Sequence, residues 1–193
     1  MKIGFVFAMD DEFEKTIGDR KPVKLSDEPF KVFSVGENFA VISGVGKINA
    51  AAGTTHLIEK YGVDNIINCG VCGATKNAFL RGEIAVIGAV VERDFDLSSA
   101  FGAEWKSPSI ALDSGDPEAV LYTADVFTTT CENDGYFDME GYAVARVAGI
   151  YGVKCSLIKS VTDIIDSGTQ TEQFVCNFDR ACELLRTELK KYI

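Results

Sequence analysis

Three acidic side chains stand where they could act on a common ligand: Glu12, Glu140 and Asp163. Glu140 directly precedes residues 141–148, a small and apolar run with the spacing of a buried helix. Asp163 follows residues 153–161, a β-branched run that favours a strand. Polar residues at the carboxyl ends of strands in α/β sheets face the ligand crevice, where carboxylates can accept hydrogen bonds. Glu140 and Asp163 therefore sit at opposite ends of one helix–strand unit.

Each of these carboxylates also has a purely structural interpretation. An acidic residue that opens a helix can cap it and complement its dipole, which explains Asp10 and Asp11 well and applies equally to Glu140. Glu12 could instead point back over the end of the first strand. A structural role explains Asp163 less easily, because it follows a nearly continuous apolar run. From the residues alone, both interpretations of Glu140 stay open.

The composition limits the class of protein. The chain has 193 residues, 47% of them hydrophobic, and we predict one α/β domain spanning residues 1–193. A formal net charge of −10 argues against nucleic acid or an anionic membrane as the main partner. No charged-then-apolar leader precedes the first strand pattern, and no apolar run approaches the roughly 18 residues of a transmembrane helix. We therefore expect a cytoplasmic protein.

The six cysteines do not form a recognisable disulfide or metal pattern. Cys69 and Cys72 have the spacing of redox or zinc pairs, but they lie in a Gly-rich turn after a strand. His56 is the only histidine, so a second pair of zinc ligands is missing. We expect small, buried thiols and no metal or cofactor.

The other segments alternate between strand and helix patterns. Buried strands are predicted at residues 2–8, 63–68, 82–93 and 120–123, and a hairpin at residues 30–43. A Gly-rich turn at residues 43–46, which lacks the spacing of a Walker P-loop, leads into a predicted helix that ends near residue 61. An amphipathic helix is predicted at residues 171–192, and irregular segments at residues 19–28 and 100–116. This alternation predicts a three-layer α/β/α sandwich with a mixed, mostly parallel central sheet.

The order of several short motifs resembles the nucleoside phosphorylase/nucleosidase superfamily. In chain order they are G-F-V-F-A-M-D-D-E-F, S-G-V-G-K-I-N-A-A, I-I-N-C-G-V-C-G, R-D-F-D, D-V-F, D-M-E-G-Y-A-V-A and S-V-T-D. Within the superfamily the chain is most similar to the 5′-methylthioadenosine/S-adenosylhomocysteine nucleosidases. The resemblance implies the phosphorylase/hydrolase-like fold and hydrolysis of the N-glycosidic bond of a purine nucleoside, such as 5′-methylthioadenosine or S-adenosylhomocysteine, with release of the free base.

The resemblance also implies roles for individual residues, without a metal or a cofactor. Asp163 would protonate the leaving purine, Glu12 would activate a water, and Glu140 would hold the ribose hydroxyls. Phe101 would reach across a homodimer to cover the partner's pocket. The other implied substrate contacts are Met139 under the sugar, Phe127 and Val126 at the base, Val71 and Gly73 at the floor of the site, and Phe174 near the 5′ substituent.

The chain departs from the family pattern at several positions. Val71 replaces a serine, Lys159 an arginine, Thr162 a serine and Arg93 a histidine, and the span between Asp96 and Asp125 is short by about one helix. Two alternatives therefore stay open at this point. A phosphate-dependent phosphorylase would need basic groups for its phosphate. A non-catalytic nucleoside-binding protein would keep the fold without turnover.

Overall fold

The protein is described by a computed structural model that covers residues 2–193 and contains ten β-strands and six α-helices within them. The strands are β1 (Ile3–Phe7), β2 (Val23–Ser26), β3 (Lys31–Val35), β4 (Asn38–Ile42), β5 (Asn65–Ala74), β6 (Ile84–Glu92), β7 (Ile110–Ala111), β8 (Asp116–Thr123), β9 (Tyr136–Asp138) and β10 (Lys154–Ile164). The helices are α1 (Asp10–Ile17), α2 (Lys47–Tyr61), α3 (Lys76–Arg81), α4 (Ser98–Phe101), α5 (Gly141–Tyr151) and α6 (Gln170–Leu189).

All ten strands belong to one mixed sheet, in the order β10-β6-β8-β9-β5-β1-β4-β3-β2, with β7 paired to β6. A further pairing of β10 with β5 closes β10, β6, β8, β9 and β5 into a ring. Among the described residues, five pairings are parallel (β1–β4, β1–β5, β10–β5, β6–β8, β8–β9) and five are antiparallel (β10–β6, β2–β3, β3–β4, β5–β9, β6–β7). The predicted mixed α/β fold is confirmed. The sheet is not mostly parallel, and the three-layer arrangement stays a prediction.

Four of the six helices pack against the sheet in two pairs. Helices α2 and α5 pack on each other over a core that includes Leu57 and Val144. Helices α1 and α6 pack on each other over a second core that includes Phe13 and Leu185. The small residues of α5 let it lie close to the sheet, and a side chain at Gly141 would collide with Leu121. This close packing holds the start of α5, and with it Glu140, against the strand ends.

Most predicted elements are present, but several were missed or misplaced. Residues 69–74, predicted to be a Gly-rich turn after a strand, are part of β5. The hairpin and the two long helices α2 and α6 are confirmed. Residues 23–26, predicted to be irregular, form the edge strand β2; its side chains are mostly exposed, so no buried pattern marks it. The short elements α3, α4, β7 and β9 were not predicted, and β7 lies in the segment 100–116 that was predicted to be irregular. Asp163 lies inside β10, which continues to Ile164 past a bulge, rather than after the strand.

Candidate active site

A cavity of about 330 Å³ brings the three carboxylates together: Glu12, Glu140 and Asp163 all line it. It lies where β1, β5, β8, β9 and β10 end or have just ended. Its volume is within the range of small-molecule sites, and its place follows the rule for open α/β sheets. The remaining lining residues are Ala8, Met9, Val45, Val71, Cys72, Gly73, Val126, Phe127, Thr128, Phe137, Asp138, Met139, Thr162, Ile165, Thr171 and Phe174.

Glu12 is held by the backbone of two strand ends. Its Oε2 accepts hydrogen bonds from the amides of Ala8 (3.2 Å) and Met9 (3.1 Å), and its Oε1 accepts one from Val71 (2.9 Å). The side chain points back over the end of β1, which was one of the two predictions from the sequence. Only 2% of the residue is exposed. Burial raises the pKa of Glu12, while the amide of Val71 and the charge of Lys159 oppose that rise.

Glycine at position 70 makes room for the Glu12 carboxylate. A Cβ atom there would lie 2.7 Å from Glu12 Oε1, closer than packed atoms approach. The C-G-V-C segment, whose cysteine spacing suggested a redox pair, therefore has a steric function in the site. Burial raises the pKa of both Cys69 and Cys72, which favours neutral thiols.

Glu140 does not cap the helix that it precedes. Its Oε1 accepts a hydrogen bond from the amide of Gly46 in the Gly-rich turn (2.8 Å). Glu140 is the N-cap residue of α5, but its side chain makes no capping hydrogen bond to the helix. Asp138 performs the capping instead, since its Oδ2 accepts from the amide of Gly141 (2.8 Å). Burial and the negative charge of Asp138 raise the pKa of Glu140 to about 7. The capping interpretation of Glu140 is therefore wrong.

A buried ion pair lies next to this carboxylate. Lys159 Nζ is 2.8 Å from Asp138 Oδ2, and each of the two side chains is only 1% exposed. Asp138 Oδ1 also accepts from the Thr123 hydroxyl (2.6 Å). Burial opposes the charge on Lys159, but Asp138 and Glu140 outweigh it and raise its pKa. Asp138 was missed as a site residue; a lysine inside the apolar run of β10 was the only sequence signal for a buried anion.

Asp163 is held by side chains rather than by amides. Its Oδ1 lies 2.7 Å from the Thr162 hydroxyl, and its Oδ2 accepts from Gln170 Nε2 (3.0 Å). Asp163 is 2% exposed, and the bulge in β10 turns it toward the cavity that it lines. Glycine at position 73 leaves space for it, because a Cβ there would be 3.0 Å from Asp163 Oδ2. Sequence reasoning missed Gln170, whose polarity at the start of an amphipathic helix resembles that of a surface residue.

Six of the seven other predicted substrate contacts lie at the cavity: Val71, Gly73, Val126, Phe127, Met139 and Phe174. Phe101 does not line it. That residue ends α4, is 62% exposed, and has its ring 5.4 Å from the ring of Trp105. Its predicted role concerns a partner subunit, so it stays a prediction.

The cavity lining is acidic and apolar. None of the described lining residues is a lysine, arginine or histidine. Across residues 2–193, no cluster of three or more histidine, cysteine, aspartate or glutamate side chains could hold a metal ion. The same part of the chain contains no helix with the length and hydropathy needed to cross a membrane. The charged side chains of the described cavity lining are all carboxylates.

The fold and part of the sequence match known proteins. Residues 2–133 match the family model of the phosphorylase superfamily. A 5′-methylthioadenosine/S-adenosylhomocysteine nucleosidase of an Exiguobacterium species is 27% identical over 86% of each chain. Two Helicobacter pylori structures have TM-scores of 0.85 at 20% identity: the same nucleosidase with butyl-thio-DADMe-Immucillin-A, covering 99% of this chain and 97% of that one, and native futalosine hydrolase, covering 98% and 96%. At this identity the two structures establish the fold.

Proposed function

Because the chain belongs to the phosphorylase superfamily, we propose that it is a purine nucleosidase. The reaction is hydrolysis of the N-glycosidic bond of a purine nucleoside such as 5′-methylthioadenosine or S-adenosylhomocysteine, with release of the free base. The observation that carries the proposal is the convergence of Glu12, Glu140 and Asp163 on one cavity of about 330 Å³. The names of related nucleosidases support the same substrate class.

At the base end of the cavity, Asp163 acts as the general acid. Glycosidic cleavage builds negative charge on the leaving base, and a proton delivered to the purine removes it. Asp163 is only 2% exposed but lines the cavity, so a proton on its carboxyl group could pass directly to a base bound there. Phe127 offers a ring for stacking on the base.

At the sugar end, Glu12 and Glu140 act on the water and the ribose. Glu12 Oε2 already accepts two amide hydrogen bonds and Oε1 accepts one, which leaves one acceptor site on Oε1 for a water. The raised pKa of Glu12 makes it a stronger base toward that water. Glu140 Oε1 is bonded to Gly46, so its Oε2 is free to accept from the ribose hydroxyls. These bonds strengthen as positive charge develops on the ring.

The same contacts argue against the phosphorylase alternative. The amides of Gly46 and Lys47 in the Gly-rich turn already donate to Glu140 and Asp125, so they are not open to a phosphate. Lys47 Nζ is held by Glu92 (2.7 Å) and Asp94 (2.5 Å). Among the described lining residues no cation faces the cavity, and the two carboxylates at the sugar end would repel an anion.

Further features of the proposal concern the whole protein. We propose that residues 1–193 form one nucleosidase-like α/β domain arranged as a three-layer sandwich, and that the protein is cytoplasmic. We also propose a homodimer in which Phe101 covers the partner's pocket. Exposed apolar side chains at Ile48, Phe101 and Trp105 support a protein contact in this region.

One experiment tests the reaction. The purified protein is incubated with 5′-methylthioadenosine in phosphate-free buffer, and free adenine and the reducing sugar are measured; the experiment is then repeated with phosphate. We expect base release at the same rate in both buffers and no sugar phosphate. Release that depends on phosphate would establish the phosphorylase instead. Tight binding without any release would establish the nucleoside-binding alternative.

A further inference from the structure

Gln170 is a buried polar residue that the proposed reaction does not use directly. It is the first residue of α6 and is 7% exposed. Its Nε2 donates to the carbonyl oxygen of Thr128 (2.9 Å) and to Asp163 Oδ2 (3.0 Å). A carbonyl oxygen can only accept, so the contact with Thr128 determines which end of the amide faces the acid. Both Nε2 hydrogens are therefore committed.

We propose that Gln170 is a positioning residue for the general acid, an inference that rests on the proposed nucleosidase function. Thr128 lines the base end of the cavity next to Phe127. By bonding both Thr128 and Asp163, Gln170 fixes the distance between the wall that receives the base and the carboxyl group that protonates it. A displacement of about 1 Å at a catalytic group can lower the rate of the reaction roughly 100-fold.

The bond from Gln170 also determines where the proton of Asp163 can point. The amide group offers only hydrogens to Oδ2 and cannot accept one. Thr162, whose hydroxyl lies 2.7 Å from Asp163 Oδ1 and 3.2 Å from the carbonyl of Cys72, can either donate to Asp163 or accept from it. A proton on Asp163 therefore points to Thr162 or into the cavity, and never toward Gln170.

The hydrogen bond from Gln170 to Asp163 is more important because the floor of the site is apolar. Val71 lines the cavity with an apolar side chain and offers Asp163 no hydroxyl. Within residues 2–193, the side chains that donate to Asp163 are those of Thr162 and Gln170. Of the two donors, Gln170 is the one on a firmly packed helix, because α6 packs along β10 and buries Phe178 and Leu185.

The test compares Gln170→Met with Gln173→Met in the full chain. Methionine keeps the length of the side chain and removes the donor. Gln173 lies one turn later on α6 and bonds the amide of Ile164 (2.8 Å) and the Thr169 hydroxyl, so its replacement controls for losing a glutamine from this helix. With 5′-methylthioadenosine, we expect Gln170→Met to lower kcat about 10- to 100-fold with KM changed less than about threefold. We expect Gln173→Met to change kcat less than about threefold.

A third variant, Gln170→Glu, supplies a readout that a structural role would not move. The introduced carboxyl group can donate to Asp163 or Thr128 only while it is protonated. We therefore expect its kcat to approach that of the unaltered protein as the pH falls, whereas Gln170→Met shows no such recovery.

The outcomes separate the two proposals. Absence of base release by the unaltered protein overturns the nucleosidase function and this inference together. Base release by the unaltered protein, with kcat of Gln170→Met within threefold of it, overturns the inference alone. Equal losses in Gln170→Met and Gln173→Met, or no pH-dependent recovery in Gln170→Glu, also overturn it.

Discussion

The two ends of the cavity hold their carboxyl groups by different means. At the sugar end, Glu12 and Glu140 accept hydrogen bonds from backbone amides, and the buried Lys159–Asp138 pair lies next to them. At the base end, Asp163 accepts from two neutral side chains. Within residues 2–193, no basic side chain forms an ion pair with Asp163.

This difference matches what each end does in the proposed reaction. Amides of rigid strand ends and turns can only donate, so they favour the ionised form of Glu12 and Glu140 and oppose the rise in pKa that burial causes. The positive charge of Lys159 acts in the same direction on Glu12 and Glu140. A general acid must instead carry a proton and then lose it, and a hydroxyl partner serves both states. At the sugar end, amide donors and Lys159 oppose the effect of burial on the carboxyl groups, whereas at the base end a hydroxyl stands beside the carboxyl group that transfers a proton in the proposed reaction.

The largest expected effect comes from breaking the base end with Asp163→Asn. An amide cannot deliver a proton to the purine, so we expect kcat to fall by about 10³-fold or more. Binding of the nucleoside should remain measurable by calorimetry, since the contacts at the sugar end are unchanged. Asp166→Asn, which changes an exposed aspartate three residues later, serves as the control and should retain full turnover. If Asp163→Asn kept more than a tenth of the activity, Asp163 would not be the general acid.

Breaking the sugar end should instead reduce stability. Lys159→Met leaves Asp138 buried without its cation, and we expect the free energy of unfolding to fall by about 3–5 kcal/mol in urea titrations. Adding Asp138→Asn removes the uncompensated charge and should restore part of that loss. Lys191→Met removes an exposed pair with Glu188 and should cost less than about 0.5 kcal/mol. A loss below about 1 kcal/mol for Lys159→Met would mean that this ion pair does not support the site.

The raised pKa of Glu140 predicts a pH dependence that belongs to the sugar end alone. Its pKa is about 7 in the folded protein and 4.5 ordinarily, so the folded state holds this proton more tightly. The resulting stabilisation is complete below about pH 4.5 and is lost as the pH rises through about 7, a change on the order of 3 kcal/mol. Glu140→Gln removes the titrating group. The fall in unfolding free energy from pH 5 to pH 8 should therefore be smaller in this variant.

The same titration should appear in the kinetics. In the proposed reaction ionised Glu140 binds the ribose. We therefore expect kcat/KM to decline below about pH 7 in the unaltered protein, because kcat/KM reports groups of the free enzyme. Glu37→Gln, in the exposed turn of the β3–β4 hairpin, is the control for both measurements and should leave each pH profile unchanged. Identical stability profiles for Glu140→Gln and the unaltered protein would show that Glu140 has an ordinary pKa.

The contrast also explains what sequence reasoning could find. Glu12, Glu140 and Asp163 stand at the ends of strongly patterned elements, so their convergence was predictable from topology, together with the motif resemblance. Their partners were not predictable in the same way. Gln170 meets Asp163 only because α6 folds back onto β10. Asp138 meets Lys159 only because β9 and β10 both pair with β5 and α5 packs against β10. The pairing of β10 with β5 that closes the ring is likewise a long-range contact with no local signature.

The smallest expected effect tests how much a single neutral donor contributes at the base end. Thr162→Val keeps the shape of a buried side chain and removes the hydroxyl beside Asp163 Oδ1, so we expect kcat to fall about 3- to 10-fold and the free energy of unfolding by about 1 kcal/mol. Thr54→Val is a matched control, because Thr54 is buried in α2 and donates to the carbonyl of Ala50 (2.7 Å) away from the cavity. It should lose similar stability and keep its kcat. A loss above about 100-fold in Thr162→Val would exceed the value of one hydrogen bond and would place the hydroxyl itself on the path of the proton.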